Sequence, residues 1–291
     1  MARFLIEKFD VVVMNPPYNS PSSNKGSAHV LWDKFVIKVI EKSLVEDGYL
    51  VAVHPDGWRS VGTGFKEVKN IIKSKQILYL EVHDRSDGVD MFSVQTAFDF
   101  YCLKNKPNPG NFITKIRCID NTIERVNISN LPFIPNGMFT EFNKIIAKSN
   151  DDKIEILYNC NYHIQKEFVK DVKDASFKYP CVYTILKNGT MNLKYSNINS
   201  KGHFGISKVI WTNGTSKPFI DLYGDYGMCQ FAYAVVDKTD NLKNIQKAML
   251  NPKFLKLMEY SQGVKHRYNK DVIKLFRKDF WVDFLDYNND D

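Results

Sequence analysis

The sequence predicts an α/β protein: an open, largely parallel sheet over the first hundred residues, followed by an α+β domain. Three observations carry this expectation. Phe9-Asp10-Val11-Val12-Val13-Met14 is an unalternated apolar run, the pattern of a strand buried on both faces of a parallel sheet. Strand-like and helix-like segments then alternate as far as Leu103. Beyond Lys104-Asn105-Lys106-Pro107-Asn108-Pro109-Gly110 the pattern changes to short strands, turns and scattered helices.

Each element has its own signal. Pro16 and Pro17 end the first strand abruptly. Leu31, Phe35, Val36, Val39, Ile40 and Leu44 recur at helical spacing, and Asp47-Gly48 stops that helix. Tyr49-Leu50-Val51-Ala52-Val53 is the next strand, followed by a loop through Pro55 to Gly64. Residues 65–74 read as a helix, 77–82 as a strand, and 96–103 as a further strand with Phe98 and Phe100 alternating. Asp84, Asp87 and Asp90 read as a polar loop able to fold over a cleft. In the second domain 113–119, 182–186, 191–195 and 209–212 are strand-like, with Asn188-Gly189 as a hairpin turn. Residues 242–260 and 271–276 are helical. The expected domains are 1–106 and 111–291.

Composition removes several classes. With 20 Phe, 15 Tyr and 4 Trp in 291 residues, a disordered chain is excluded. No apolar run is long enough to span a bilayer, and the first residues do not read as a signal peptide. Five cysteines without a C-x-x-C pair suit reduced thiols, hence a cytoplasmic protein with neither disulfide framework nor zinc. The six histidines are dispersed, without H-E-x-x-H, and no G-x-S-x-G is present. Residues 1–110 carry 14 Lys/Arg against 13 Asp/Glu, and residues 111–291 carry 26 against 20. A neutral front and a basic back place any polyanion mainly on the back.

The chemistry is concentrated in Asn15-Pro16-Pro17-Tyr18, directly after the first strand. In an open α/β sheet the carboxyl ends of the strands are where ligands sit. Pro17 fixes its own φ and restricts Pro16, so the turn is rigid. That rigidity presets the Asn15 amide and the proline carbonyls. An amide oxygen and a carbonyl make two acceptors, suited to a planar –NH2 group. Tyr18 offers a flat face for a planar base, a contact worth about 1–3 kcal/mol.

These residues resemble the amino-group DNA methyltransferases, specifically the adenine-N6 enzymes with Asn-Pro-Pro-Tyr as their catalytic motif. The resemblance implies an adenine flipped out of duplex DNA. Its N6 would be held by Asn15 and a carbonyl of Pro16 or Pro17, with its ring stacked on Tyr18. The methyl donor would be S-adenosylmethionine. His54-Pro55-Asp56-Gly57-Trp58 looks like a further family segment. The run from Met91 to Asp99 looks like the segment whose aromatic closes the adenine pocket, with Phe92 in that role. The implied architecture is an incomplete Rossmann-like methyltransferase sheet followed by an α+β target-recognition domain. The implied setting is a restriction–modification or viral DNA modification system.

The family's F-x-G-x-G turn and its acidic ribose ligand have no counterpart here, so the S-adenosylmethionine site is expected to be incomplete in these residues. The glycines of His203-Phe204-Gly205-Ile206 and Leu222-Tyr223-Gly224-Asp225-Tyr226-Gly227 do not open a helix after a buried strand. Three expectations follow: a fragment of a longer enzyme, one half of a split enzyme whose second chain carries the cofactor-binding half, or a degenerate copy. A sheet without its first strands would leave the edge beside Val11 to Met14 uncovered.

Contacts with duplex DNA are expected from Lys265, His266, Arg267, Lys270, Lys274 and Arg277, and from a loop at Trp211-Thr212-Asn213-Gly214 with Lys217. Release-factor glutamine and RNA guanine-N2 methyltransferases share Asn-Pro-Pro-Tyr, and a non-catalytic DNA-binding or specificity subunit is the alternative of another class.

Overall fold

The computed structural model describes residues 8–20, 29–213, 217–261 and 268–285. The chain divides into two compact units, Met1–Phe139 and Thr140–Asp291. The division falls later than the Pro/Asn-rich break at 104–110. The strand after that break pairs back into the first sheet, and Ile128, Ile134 and Phe139 join the first core.

The first unit contains β1 (Phe9–Met14), α1 (Trp32–Lys38), β2 (Leu44–Pro55), α2 (Lys66–Lys73), β3 (Lys75–His83), α3 (Arg85–Phe92), β4 (Phe98–Pro107), β5 (Thr114–Arg117) and β6 (Ile123–Val126). A π-helical turn, Val39–Ser43, leads from α1 into β2, and a 3-10 turn, Asp56–Arg59, follows β2. The six strands form one sheet in the order β1-β2-β4-β3-β5-β6. β1 runs parallel to β2, and β3 to β5, whereas β4 is antiparallel to both β2 and β3. The α/β class holds. The sheet is mixed rather than largely parallel, because β4 returns between β2 and β3 instead of beside them.

One face of this sheet is covered. Trp32 and Val36 of α1 and Val68 and Ile72 of α2 meet Leu50, Ala52, Leu80, Tyr101, Leu103 and Ile116, forming a single buried cluster. The helical pairs are four residues apart, which places each pair on one side of its helix. The opposite face carries Val13, Val51, Cys102 and Tyr79 in one cross-strand row, and Val11, Tyr49 and Lys104 in the next. None of these belongs to the buried cluster, and Val13 is 72% exposed.

β1 therefore departs from the expected strand buried on both faces. Val12 and Met14 pack inward, whereas Phe9, Val11 and Val13 are exposed. β1 has β2 as its one strand neighbour among the described residues.

The second unit contains α4 (Phe139–Ile145), which starts at the division, then β7 (Glu155–Leu157), β8 (Val169–Lys170), β9 (Tyr179–Ile185), β10 (Met191–Ser196), β11 (Lys208–Thr212), β12 (Phe219–Asp221), β13 (Gly227–Met228), β14 (Ala232–Val236), α5 (Thr239–Leu250), α6 (Pro252–Tyr260) and α7 (Lys270–Ile273). Two four-stranded sheets result, β13-β9-β10-β8 and β12-β11-β14-β7. β9 and β10 are antiparallel, and Gly189 between them takes a left-handed φ of 91°. The expected long helix over 242–260 is two helices. Pro252 starts the second, and the Asn251 side chain accepts from the Lys253 N–H at 2.8 Å. Lys208 and Asp221 form a buried ion pair at 2.6 Å.

Candidate active site

The parallel run of β1 against β2 pairs Met14 with Ala52, so Asn15 leaves the sheet at its carboxyl end beside the end of β2. Asn15 is exposed, Pro16 buried, Pro17 exposed and Tyr18 half-buried. The turn is anchored on its far side. The Tyr18 carbonyl accepts from the Leu31 N–H at 3.0 Å, and Asn19 bridges Val30. Tyr18 packs against the core cluster, and burial raises its phenol above the ordinary value. The arrangement is a fixed turn with its amide in solvent and its ring partly held.

β2 ends beside this turn in a buried polar knot. The His54 imidazole stacks on Trp32 with centroids 4.1 Å apart. Its Nδ1 lies 3.0 Å from the Pro55 carbonyl and its Nε2 3.0 Å from the Tyr101 hydroxyl. A carbonyl only accepts, so Nδ1 carries the hydrogen and Nε2 accepts from Tyr101. Burial pushes His54 down to about 4, which keeps it neutral. Two residues on, the Asp56–Arg59 turn is fastened from below. Arg59 Nε donates to both Asp99 oxygens at 2.9 and 2.8 Å, and Trp58 Nε1 donates to Asp99 at 2.7 Å. Arg59 Nη1 donates to the Ile134 carbonyl and to Asn136 Oδ1, each at 2.9 Å. Burial pushes the Asp99 carboxyl up to about 6 despite the adjacent guanidinium.

The end of β3 carries the other side of the site. His83 stacks on Phe98 at 4.4 Å, and Phe92 meets Phe98 edge-on at 5.0 Å. The expected polar loop over 84–90 is instead mostly helical: α3 starts at Arg85. Asp84 accepts from the Ser86 and Asp87 N–H groups, and Asp87 reaches back to the Asp84 N–H, a reciprocal cap. Phe92 closes this helix and is 38% exposed. Because β4 is antiparallel to its neighbours, the carboxyl ends of β1, β2 and β3 share one edge. Tyr18 and Phe92 thus belong to the same end of the sheet. β1 and β4 lie two strand spacings apart, about 10 Å.

The residues expected to contact DNA are differently placed. Lys265, His266, Arg267 and Gly214 lie outside the described residues. Lys270 and Lys274 sit over the Tyr158 ring at 4.8 and 3.4 Å, with Asp271 at 2.7 and 3.8 Å. A hydrogen bond from Lys274 and the charge of both lysines hold the Tyr158 phenol below its ordinary value, with Lys274 the main cause. Arg277 pairs with Asp279 at 2.5 Å and also with Asp283. Trp211 does not present itself to solvent. It is fully buried in β11 near Tyr233 and Tyr268, because every residue of that strand faces the interior.

The described residues do not by themselves fit S-adenosylmethionine. The two glycine-bearing loops pack back to back in the second unit, Gly205 N–H donating to the Gly224 carbonyl at 2.9 Å. A Cβ on Gly224 would come within 2.3 Å of the Ile206 nitrogen, so that glycine serves chain packing. On the sheet itself, no strand pairs with β1 on the side away from β2 among the described residues.

Among solved structures, the chain superposes on the type IIL restriction-modification enzyme MmeI, determined in complex with DNA, over 91% of its length at TM-score 0.50 and 8% identity. That likeness shows a shared fold. The type IIG restriction endonuclease BpuSI matches over 93% of the chain at TM-score 0.40 and 9% identity. The EcoKI type I M protein matches over 38% at TM-score 0.31 and 12% identity. The chain spans 45%, 47% and 25% of those three proteins respectively. No protein-family model matches it, and neither does any curated protein.

Proposed function

We propose that the chain takes part in transferring a methyl group from S-adenosylmethionine to N6 of adenine in DNA, as part of a restriction–modification or viral DNA modification system. One observation carries this reading: a proline-stiffened turn at the carboxyl end of β1 offers a solvent-facing Asn15 amide beside a half-buried Tyr18. Asn15 Oδ1 and the Pro16 carbonyl accept the two hydrogens of the target amino group. Two acceptors draw that nitrogen toward tetrahedral geometry and favour positive charge on it. Tyr18 takes one face of the flipped base and Phe92 the other. The shared fold with a DNA-complexed restriction-modification enzyme supports the same reading.

Duplex DNA is the proposed substrate. Its phosphates meet the second unit through Lys265, His266, Arg267, Lys270, Lys274 and Arg277. The glycine turn for the cofactor comes from residues other than those described, either in a longer form of this polypeptide or in a second chain. The packing of Gly205 against Gly224, which leaves neither loop as a cofactor cradle, favours a second reading, a DNA-binding subunit without catalysis.

Tritiated S-adenosylmethionine and adenine-containing duplexes test both readings when the chain is assayed with the polypeptide that completes the sheet. The expected result is label on N6 of adenine, lost in Asn15→Ala with folding unchanged. DNA binding without any label, with the complete assembly present, overturns the enzyme in favour of the binder.

A further inference from the structure

Tyr158, the first residue beyond β7, is 45% exposed, and the Tyr233 ring of β14 lies 6.5 Å from it. Two lysines lie over this pair of rings. Lys270 Nζ sits 4.8 Å from the Tyr158 centroid and 5.9 Å from that of Tyr233, and Lys274 Nζ sits 3.4 Å from the Tyr158 centroid. Lys270 starts α7 and Lys274 caps its end, a spacing of one turn that puts both on the same side. Surface lysines are ordinarily loose. Here the rings hold both ammoniums, so the ordering that a bound anion imposes is largely made in advance.

Neither the charges nor the hydrogens of this group balance. Asp271 is the one carboxylate within 4 Å of either ammonium among the described residues, 2.7 Å from Lys270 and 3.8 Å from Lys274. Two positive charges thus share one negative. Lys270 donates one hydrogen to Asp271 and Lys274 one to the Tyr158 oxygen, whereas an ammonium carries three. The phenol adds a donor of its own. Its oxygen accepts from Lys274, which leaves the O–H to donate elsewhere and makes it a stronger donor. Spare hydrogens on two held ammoniums, together with a polarised hydroxyl on an exposed ring, suit an anion with several oxygens around one centre.

We propose that Tyr158, Lys270 and Lys274 form a seat for one phosphodiester of duplex DNA, with the hydroxyl and both ammoniums donating to its oxygens. The inference rests on the function proposed above and adds Tyr158, which carries no charge, to its DNA contacts. A neutral donor releases no counterions, so its contribution is insensitive to salt. It fixes the register of the phosphate, whereas lysines alone act as point charges on flexible stems. The hydroxyl is what separates this seat from a merely basic surface.

The test measures the affinity of the full chain for a short adenine-containing duplex by fluorescence anisotropy over a range of salt. Tyr158→Phe keeps the ring under the lysines and removes the hydroxyl alone. It is expected to weaken binding about tenfold with the salt slope unchanged. Lys274→Gln is expected to weaken binding and to lower the slope by about one. The double variant should lose less than the two single losses combined, because Lys274 polarises the hydroxyl that Tyr158→Phe removes. Near-ultraviolet circular dichroism checks that each variant is folded. Tyr158→Phe binding as tightly as wild type, with binding weakened in Lys274→Gln, overturns the seat and leaves the proposed function standing. Strictly additive losses overturn it too, and so do Tyr158 ring resonances that move with inorganic phosphate but not with duplex. A wild type that binds no duplex overturns both the seat and the proposed function.

Discussion

The His54 imidazole lies on the Trp32 indole at 4.1 Å and 13° between planes, deep in the first unit. His54 is pushed from 6.5 to about 4 by burial, so the unfolded chain binds the extra proton between those values. Its depressed pKa contributes stability that is fully present above 6.5 and is lost as pH falls toward 4. Asp99, raised to about 6, titrates with the opposite sign over the same range. The clean quantity is therefore a difference. Between pH 7 and 5, His54→Gln is expected to lose about 2 kcal/mol less stability than wild type, measured by urea unfolding. Equal losses in the two proteins contradict the neutral His54.

The Arg59–Asp99 pair should behave as a unit. Arg59→Met strands a buried carboxylate and is expected to cost about 3–5 kcal/mol. Adding Asp99→Leu should recover part of that loss, because the second change removes the stranded charge. Additive single and double effects in denaturant titrations would show that the two side chains are independent.

Gly88 supplies a prediction in which the sign decides. Replacing a helical glycine by alanine normally stabilises by about 0.5–1 kcal/mol. Here a Cβ would lie 2.1 Å from the Thr96 carbonyl oxygen and 2.8 Å from that of Val94. Both obstacles are backbone and cannot rotate away. Gly88→Ala is expected to destabilise by about 1–3 kcal/mol and to displace Phe92 at the end of α3. A rise in melting temperature would contradict the packing.

Val13→Lys separates folding from association. The side chain is 72% exposed, so the change should leave stability within about 0.5 kcal/mol. β1 has one strand neighbour among the described residues, and a lysine on such an edge discourages pairing with other chains. Light scattering at rising protein concentration should show less self-association than wild type.

Much of the first unit was legible because its signals are local. The β1 run, the proline turn, the α1 spacing and the second strand each declare themselves within a dozen residues. α3 was not legible, since Gly88 inside it and three aspartates around it imitate a loop. The signal that could have found it was Asp84 with Asp87 three residues on, a cap rather than a cluster. The return of β4 between β2 and β3 was hidden for another reason: strand order is settled by tertiary packing. Arg59 and Asp99, forty residues apart, meet only because of that order. In the second unit, local pattern located β9, β10 and β11 but could not tell that Trp211 points inward. A strand covered on both faces shows no alternation to read.

The exposed apolar face of β1 also has a consequence for handling. With Phe9, Val11 and Val13 exposed beside Tyr49 of β2, the chain should lose solubility as ammonium sulfate is added, because that salt strengthens apolar association.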